Sequence, residues 1–211
     1  MKYLPIICLL YGTATAQDSL NLRTHPLPTK QNAKRILWYL KGPNLSYGNF
    51  YLFTGAGVAV LNKKHSGVAF ELKKGFVTAS NVPADFEASS FFNIGNGKPI
   101  ESTTLLLLSY VKEFRLKKPA LLATTQFGVS YSSKTYPDNF VYLPPSGGWF
   151  DWSDNYSYDI KTTKATGLYL KPGFKYLFSK NIGLSAAVWT VLQKRNSYYG
   201  LELGLQFGKL R

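Results

Sequence analysis

Cysteine and methionine are almost missing from this chain. There is one of each, Cys8 and Met1, and both precede Gln17. If the leader proposed below is removed, no thiol remains, which excludes disulfides, zinc–thiolate sites and cysteine nucleophiles. Histidine is nearly as scarce, with only 2 residues, His25 and His65. No run of about 18 apolar residues occurs, so no helical membrane span is expected; the densest short cluster is residues 105–108, all leucine. A glycine-rich phosphate loop, a metal-ligand cluster and a nucleophile elbow are likewise missing. These gaps leave no expected cofactor and no expected metal.

The N-terminus carries an export layout. Lys2 is a minimal basic start, residues 3–11 are apolar, and Ala14-Thr15-Ala16 is an A-x-A cleavage site before Gln17. The apolar stretch is too short to cross a bilayer, and no small-residue lipobox precedes Cys8. We read residues 1–16 as a signal peptide, 17–33 as a periplasmic N-terminal tail and 34–211 as the folded unit.

Acid is scarce too. Asp and Glu number 11 against 25 Lys and Arg, a formal charge of +14 that falls to +13 when Lys2 leaves with the leader. Nucleic acid is the reflex partner for such a chain. However, the basic residues are scattered over turns and alternating segments, with no basic helix or recognised motif, and export argues the same way. Anionic lipid head groups fit better.

What the chain does have is alternation. From Ile182 the even positions read Ile182, Leu184, Ala186, Val188, Thr190 and Leu192, with Gly183, Ser185, Ala187, Trp189, Val191 and Gln193 between them. After Lys194-Arg195-Asn196 the pattern restarts: Tyr199, Leu201, Leu203, Leu205 and Phe207 are separated by Gly200, Glu202, Gly204 and Gln206. A period of two puts one set on each face of a strand. A face of glycine and small polar groups opposite an aliphatic and aromatic one suits a small barrel whose apolar wall meets lipid. On this reading Leu203→Arg is expected to harm insertion more than Glu202→Gln.

Further alternating segments lie at 165–178, 119–132, 102–114, 66–79 and 49–61, and 34–41 is the best candidate for a first strand. Pro172 deletes a ladder donor, so a bulge is expected there. Segment 102–114 is apolar on both faces, and its orientation stays open. Connections 62–65, 115–118 and 179–181 are short, 81–101 and 133–164 are long, and 42–48 and 194–197 join the long set. Short and long connections alternate, as in barrels with periplasmic turns and outer loops. Aromatics are 16% of the chain, with 15 tyrosines, enough for interfacial girdles. The expected fold is all-β, an eight-stranded antiparallel transmembrane β-barrel.

Leader, alternating strands, aromatic edges and a Tyr/Leu/Phe-bearing final strand resemble the small outer-membrane β-barrel proteins of Gram-negative bacteria, the OmpX/OmpA-barrel type, over about residues 34–210. The resemblance implies the cell outer membrane as location, its lipids as surroundings, and the barrel-assembly machinery as the partner for insertion. It departs at the end, where Phe207 is followed by Gly208-Lys209-Leu210-Arg211.

Four constellations could carry function. Glu71, Lys73, Lys171, Lys175 and Glu202 should point inward as a lumen polar network, read as a structural plug rather than a small pore or proton path. The outer loop 133–164 sets Tyr142, Trp149, Phe150, Trp152 and Tyr156 beside Asp138, Asp151, Asp154 and Asp159. Such a loop could hold a surface ligand or protein, or simply fold over the rim. His65-Ser66 resembles the His/Ser pair of lipid A deacylase barrels, but lies in an expected periplasmic turn and lacks the surrounding motif. Lys63, Lys64, Lys117, Lys118, Lys180, Lys209 and Arg211 form a basic rim at the short-turn end, suited to inner-leaflet phosphates. The favoured function is a non-enzymatic, integral barrel serving envelope integrity or surface interaction. The alternatives are a lipid-modifying barrel enzyme and an exported soluble β-protein.

Overall fold

The computed structural model describes residues 36–48, 51–87, 97–116, 120–144, 155–194 and 196–210. Eight strands follow in chain order: β1 Leu37–Gly48, β2 Tyr51–Leu61, β3 Ser66–Thr78, β4 Ile100–Arg115, β5 Leu121–Tyr142, β6 Tyr156–Leu177, β7 Ile182–Gln193 and β8 Tyr198–Lys209. Each pairs antiparallel with its sequence neighbour, and β1 with β8, into one closed barrel. Closure leaves no unpaired edge, the one way a sheet can sit in hydrocarbon.

The period of two is written into the burial. On β8, Leu201 and Leu203 are 66% and 59% exposed, while Glu202 between them is 3% exposed. The outward wall carries Leu40, Val58, Phe70, Leu106, Leu108, Val129 and Leu168. Trp38, Phe114, Tyr176 and Phe178 ring its short-turn end, and Tyr47, Phe76 and Tyr199 its other end. An aliphatic band between aromatic edges is a surface made for a bilayer, and it excludes the exported soluble β-protein.

Segment 102–114 is resolved by the register: Leu105, Leu107 and Val111 are fully buried in the lumen, and Leu106, Leu108 and Tyr110 face out. Three expectations need correction. Pro172 makes no bulge; it pairs with Thr125 in an unshifted ladder, and on the β7 side the register is the same above and below it. The strand passes through Pro172 with no change of register on either side. Bulges lie instead on β1, where pairing shifts between Lys41 and Asn44 against both β2 and β8, and at the β5–β6 tip between Asp138 and Val141. Gly42-Pro43 looks like a turn, yet the strand runs on to Gly48 and the expected connection 42–48 does not exist. Most of 133–164 is also strand rather than loop: β5 continues to Tyr142 and β6 starts at Tyr156. Beyond the bilayer both faces of that hairpin meet water, so the apolar alternation fades while the ladder persists.

Candidate functional site

Parity aims the charged side chains inward. Lys41 on β1, Glu71 and Lys73 on β3, Lys171 on β6 and Glu202 on β8 are all nearly inaccessible. They join into one chain of ion pairs. Lys41 Nζ lies 2.5 Å from Glu71 Oε1, and Lys171 Nζ bridges Glu71 Oε2 at 3.0 Å and Glu202 Oε1 at 2.5 Å. Lys73 completes it on Glu202 Oε2 and donates to Ser46 Oγ at 3.4 Å. Buried charges persist only when paired and hydrogen-bonded. Gly57 makes the room, since a Cβ there would stand 2.8 Å from Glu71 Cγ and 2.4 Å from the Phe70 carbonyl.

Lys175 does not belong to this chain. It pairs with Glu113 near the short-turn end, where Glu113 also accepts from the Tyr39 hydroxyl at 3.2 Å and meets His65 Nδ1 at 3.2 Å. Arg115 Nη2 sits 3.1 Å from His65 Nε2. A guanidinium can only donate, so Nε2 accepts and Nδ1 carries the proton toward Glu113. Ser66 Oγ donates to Asn62 Oδ1 at 3.1 Å, and no His65–Ser66 hydrogen bond exists among the described residues. Base and hydroxyl are each held elsewhere, which is not a nucleophile–base geometry. Glu113 and Lys41 were not among the expected lumen set. For Glu113 the available signal was its phase, shared with Leu105, Leu107 and Val111.

Apolar layers cap the ionic ones. At the short-turn end Leu37, Ala59, Leu61, Val111, Leu122, Leu177 and Leu210 pack together. At the other end Tyr51, Phe53, Leu105, Leu107, Tyr169, Trp189, Val191 and Tyr198 do. There Phe53 and Trp189 meet edge to face at 5.2 Å, and Lys73 Nζ lies 4.1 Å from the Trp189 ring centroid. Above this plug Lys134 Nζ pairs with Glu101 Oε1 at 2.6 Å, and the Tyr51 hydroxyl bonds the same carboxylate. The described side chains of the lumen thus form ionic layers between two apolar ones.

At the outer end the β5–β6 hairpin is tied to the β3–β4 connection. Asn155 donates from Nδ2 to the Asp85 carbonyl at 2.7 Å and accepts on Oδ1 from the Glu87 N–H at 2.8 Å. The Tyr156 hydroxyl bonds both Asp85 carboxylate oxygens at 2.9 and 2.8 Å, which raises its pKa above the ordinary tyrosine value. Phe86, Phe140, Tyr142 and Tyr156 form a ring cluster, with Tyr142 and Tyr156 edge to face at 5.4 Å. Lower down, Lys161 and Asp138 pair at 2.5 Å; that bond lowers the carboxyl pKa and raises the ammonium's. Among the outer-loop candidates, Tyr142 and Tyr156 come together, whereas Trp149, Phe150 and Trp152 lie outside the described residues. Of the basic rim, Lys63, Lys64, Lys180 and Lys209 lie by the short turns; Lys117, Lys118 and Arg211 fall outside the described residues. Among the described residues no cluster of His, Cys, Asp and Glu could hold a metal ion.

No family model matches the chain, and no curated protein does. Solved structures do. The N-terminal β-barrel domain of Pseudomonas aeruginosa OprF is 11% identical with a TM-score of 0.50, over 83% of this chain and 98% of that one. Neisserial surface protein A is 11% identical with a TM-score of 0.47, over 82% and 95%. Ail of Yersinia pestis, in complex with the heparin analogue sucrose octasulfate, is 9% identical with a TM-score of 0.45, over 82% and 95%. At such identities it is architecture that is shared, and the OprF domain carries the comparison. Closed topology and eight antiparallel strands agree with it: in fold this chain is a closed eight-stranded β-barrel like that domain.

Proposed function

We propose that the protein is a non-enzymatic, integral outer-membrane barrel that works as a surface-interaction module through its β5–β6 hairpin. One observation carries the reading: the lumen is filled by paired charges and two apolar layers, while the hairpin is braced onto the β3–β4 connection by Asn155 and Tyr156. A filled interior offers neither conduction nor a substrate site. A braced hairpin presents Tyr142, 54% exposed, on a rigid support. Exposed aromatics on such a support are the usual anchors of a protein or glycan contact.

The hydrolase reading loses support from the engaged ring of His65 and its place by a short turn. His65→Ala should leave the lipid A mass spectrum of expressing cells unchanged; a changed spectrum would restore the enzyme. For the surface reading, Asp138 pairs directly with Asp159, so residues 139–158 can be replaced by an Asn-Gly turn. The shortened barrel should keep its heat-modifiable gel mobility and lose adhesion of expressing cells to protein- and glycan-coated surfaces. Undiminished adhesion overturns the proposal. Protease added to intact cells should cut near Tyr142 and spare Lys63 and Lys180.

A further inference from the structure

The wall of the barrel is not uniformly convex. On its outward side a groove of about 590 Å³ runs over the β1 bulge. Its floor is low because Pro43, Ala56 and Thr54 stand where neighbouring rows carry leucine; Leu72 forms one bank, Leu203 and Leu205 the other. The bulge causes this: the shift between Lys41 and Asn44 leaves Ala56 with no large outward neighbour on β1. The volume lies within the range of small-molecule sites. The groove runs from Leu184 and Leu205, in the short-turn half of β7 and β8, to Lys74 in the upper part of β3, so its Lys74 end is the one nearer the long connections.

A second, independent feature sits at its mouth. Lys74 faces outward between Leu72 and Phe76, on a wall otherwise built for hydrocarbon. Its Nζ lies 5.2 Å from the Phe76 ring centroid, and among the described residues no carboxylate comes within ion-pair distance. The groove lining contains no acid either. Thr54 and Thr104 flank Lys74 in the same hydrogen-bonded row, adding hydroxyl donors. A cation on a lipid-facing strand is unfavourable in proportion to its depth unless an anion meets it. An apolar trough that ends at an unmatched ammonium is complementary to a molecule with an apolar tail and an anionic head.

We infer that this groove is a lipid-binding site, which takes one acyl chain of a phosphate-bearing lipid of the outer leaflet and sets the phosphate on Lys74. The site is independent of the hairpin and of what the hairpin binds.

The test uses the intact barrel in neutral detergent, with dipalmitoyl phosphatidic acid and dipalmitoylglycerol as probes differing only in the phosphate. Native mass spectrometry should show the wild type retaining one phosphatidic acid at least about tenfold more than diacylglycerol, the factor expected for one hydrogen bond between charged groups. Lys74→Gln should remove that preference. Ala56→Phe, which fills the floor, should reduce retention of both lipids. Lys164→Gln and Val68→Phe, outward changes away from the groove, should change neither, and heat-modifiable mobility confirms a closed barrel in every variant. A preference surviving Lys74→Gln overturns the inference, as does Ala56→Phe retaining lipid like the wild type.

Discussion

The lower two thirds of β5 and β6 and the tip of the same two strands are one continuous hairpin in two different worlds. Near Phe127 and Leu170 one face is exposed on the apolar wall and the other is buried in the lumen, and the side chains alternate between large apolar and buried polar groups such as Gln126 and Lys171. Beyond Lys164 the same ladder carries Thr162, Thr163, Lys161 and Asp159, polar on both faces. Backbone pairing runs without a shift from Leu121–Tyr176 up to Asp138–Asp159, through both environments, and steps only beyond Asp138. Alternation therefore reports the contrast between two solvents, and says little about whether a strand exists.

The largest effect should come from the sealed region. Lys171→Met leaves Glu71 and Glu202 with less compensation, and breaking a buried network of this kind costs about 3–5 kcal/mol. Glu202→Gln belongs in the same class, because it strips Lys73 of its carboxylate. That reverses the ordering expected from alternation alone, in which the lumen change was the milder one. Urea unfolding of the barrel in lipid vesicles should show both losses. A loss below 1 kcal/mol for either would mean the lumen is wet enough to solvate the orphaned charge.

Next in size is the wall. Leu203→Arg should cost about 2–4 kcal/mol if mid-bilayer, read by the same unfolding. A smaller effect follows at the tip. Asn155→Ala removes two hydrogen bonds to the β3–β4 connection, so the hairpin should open about fivefold more often to added protease, at about 1 kcal/mol. The global unfolding midpoint should stay where it was; a shifted midpoint would mean that tip and barrel unfold as one.

The smallest effect is a pH window. Asp138 has a lowered pKa in the fold, so its contribution is present above the unfolded value near ~3.9 and is lost as pH falls through the lower folded value. Lys161 has a raised pKa, so its contribution holds below the unfolded value near ~10.4 and is lost as pH rises through the folded one. Tip proteolysis should be flat between those limits and rise outside them. A step near neutrality would assign the tip's closure to another group.

Where the two faces differ most, the sequence was easiest to read. Leu203 beside Glu202 is legible from the residues alone, and so are β7, most of β3 and the eightfold count. On β4 the four leucines at 105–108 hide the phase, because a lumen capped by apolar layers accepts leucine as readily as lipid does. Glu113 went unnoticed for that reason. Trp189, inward on a face otherwise of small residues, belongs to the upper cap and follows no local pattern. The split of the lumen charges into two groups follows from strand stagger, which period two does not encode. On β1, apolar parity changes from even positions at Trp38 and Leu40 to odd ones at Leu45 and Tyr47, so the pattern breaks where the strand does not.

That change of parity has a consequence for how the ring is completed. The β1–β8 seam joins the two ends of the barrel sequence, with no tight turn to align them, and regular strands can slide past each other two residues at a time without exposing a wrong face. Here the seam has a notch: the ladder steps between Lys41–Gln206 and Asn44–Gly204, and Asn44 Oδ1 occupies the space that Gly204 leaves open. A slip of two residues would drive Asn44 against Glu202 or Gln206 instead of glycine. The bulge and its facing glycine thus act as key and keyway, admitting one register of closure.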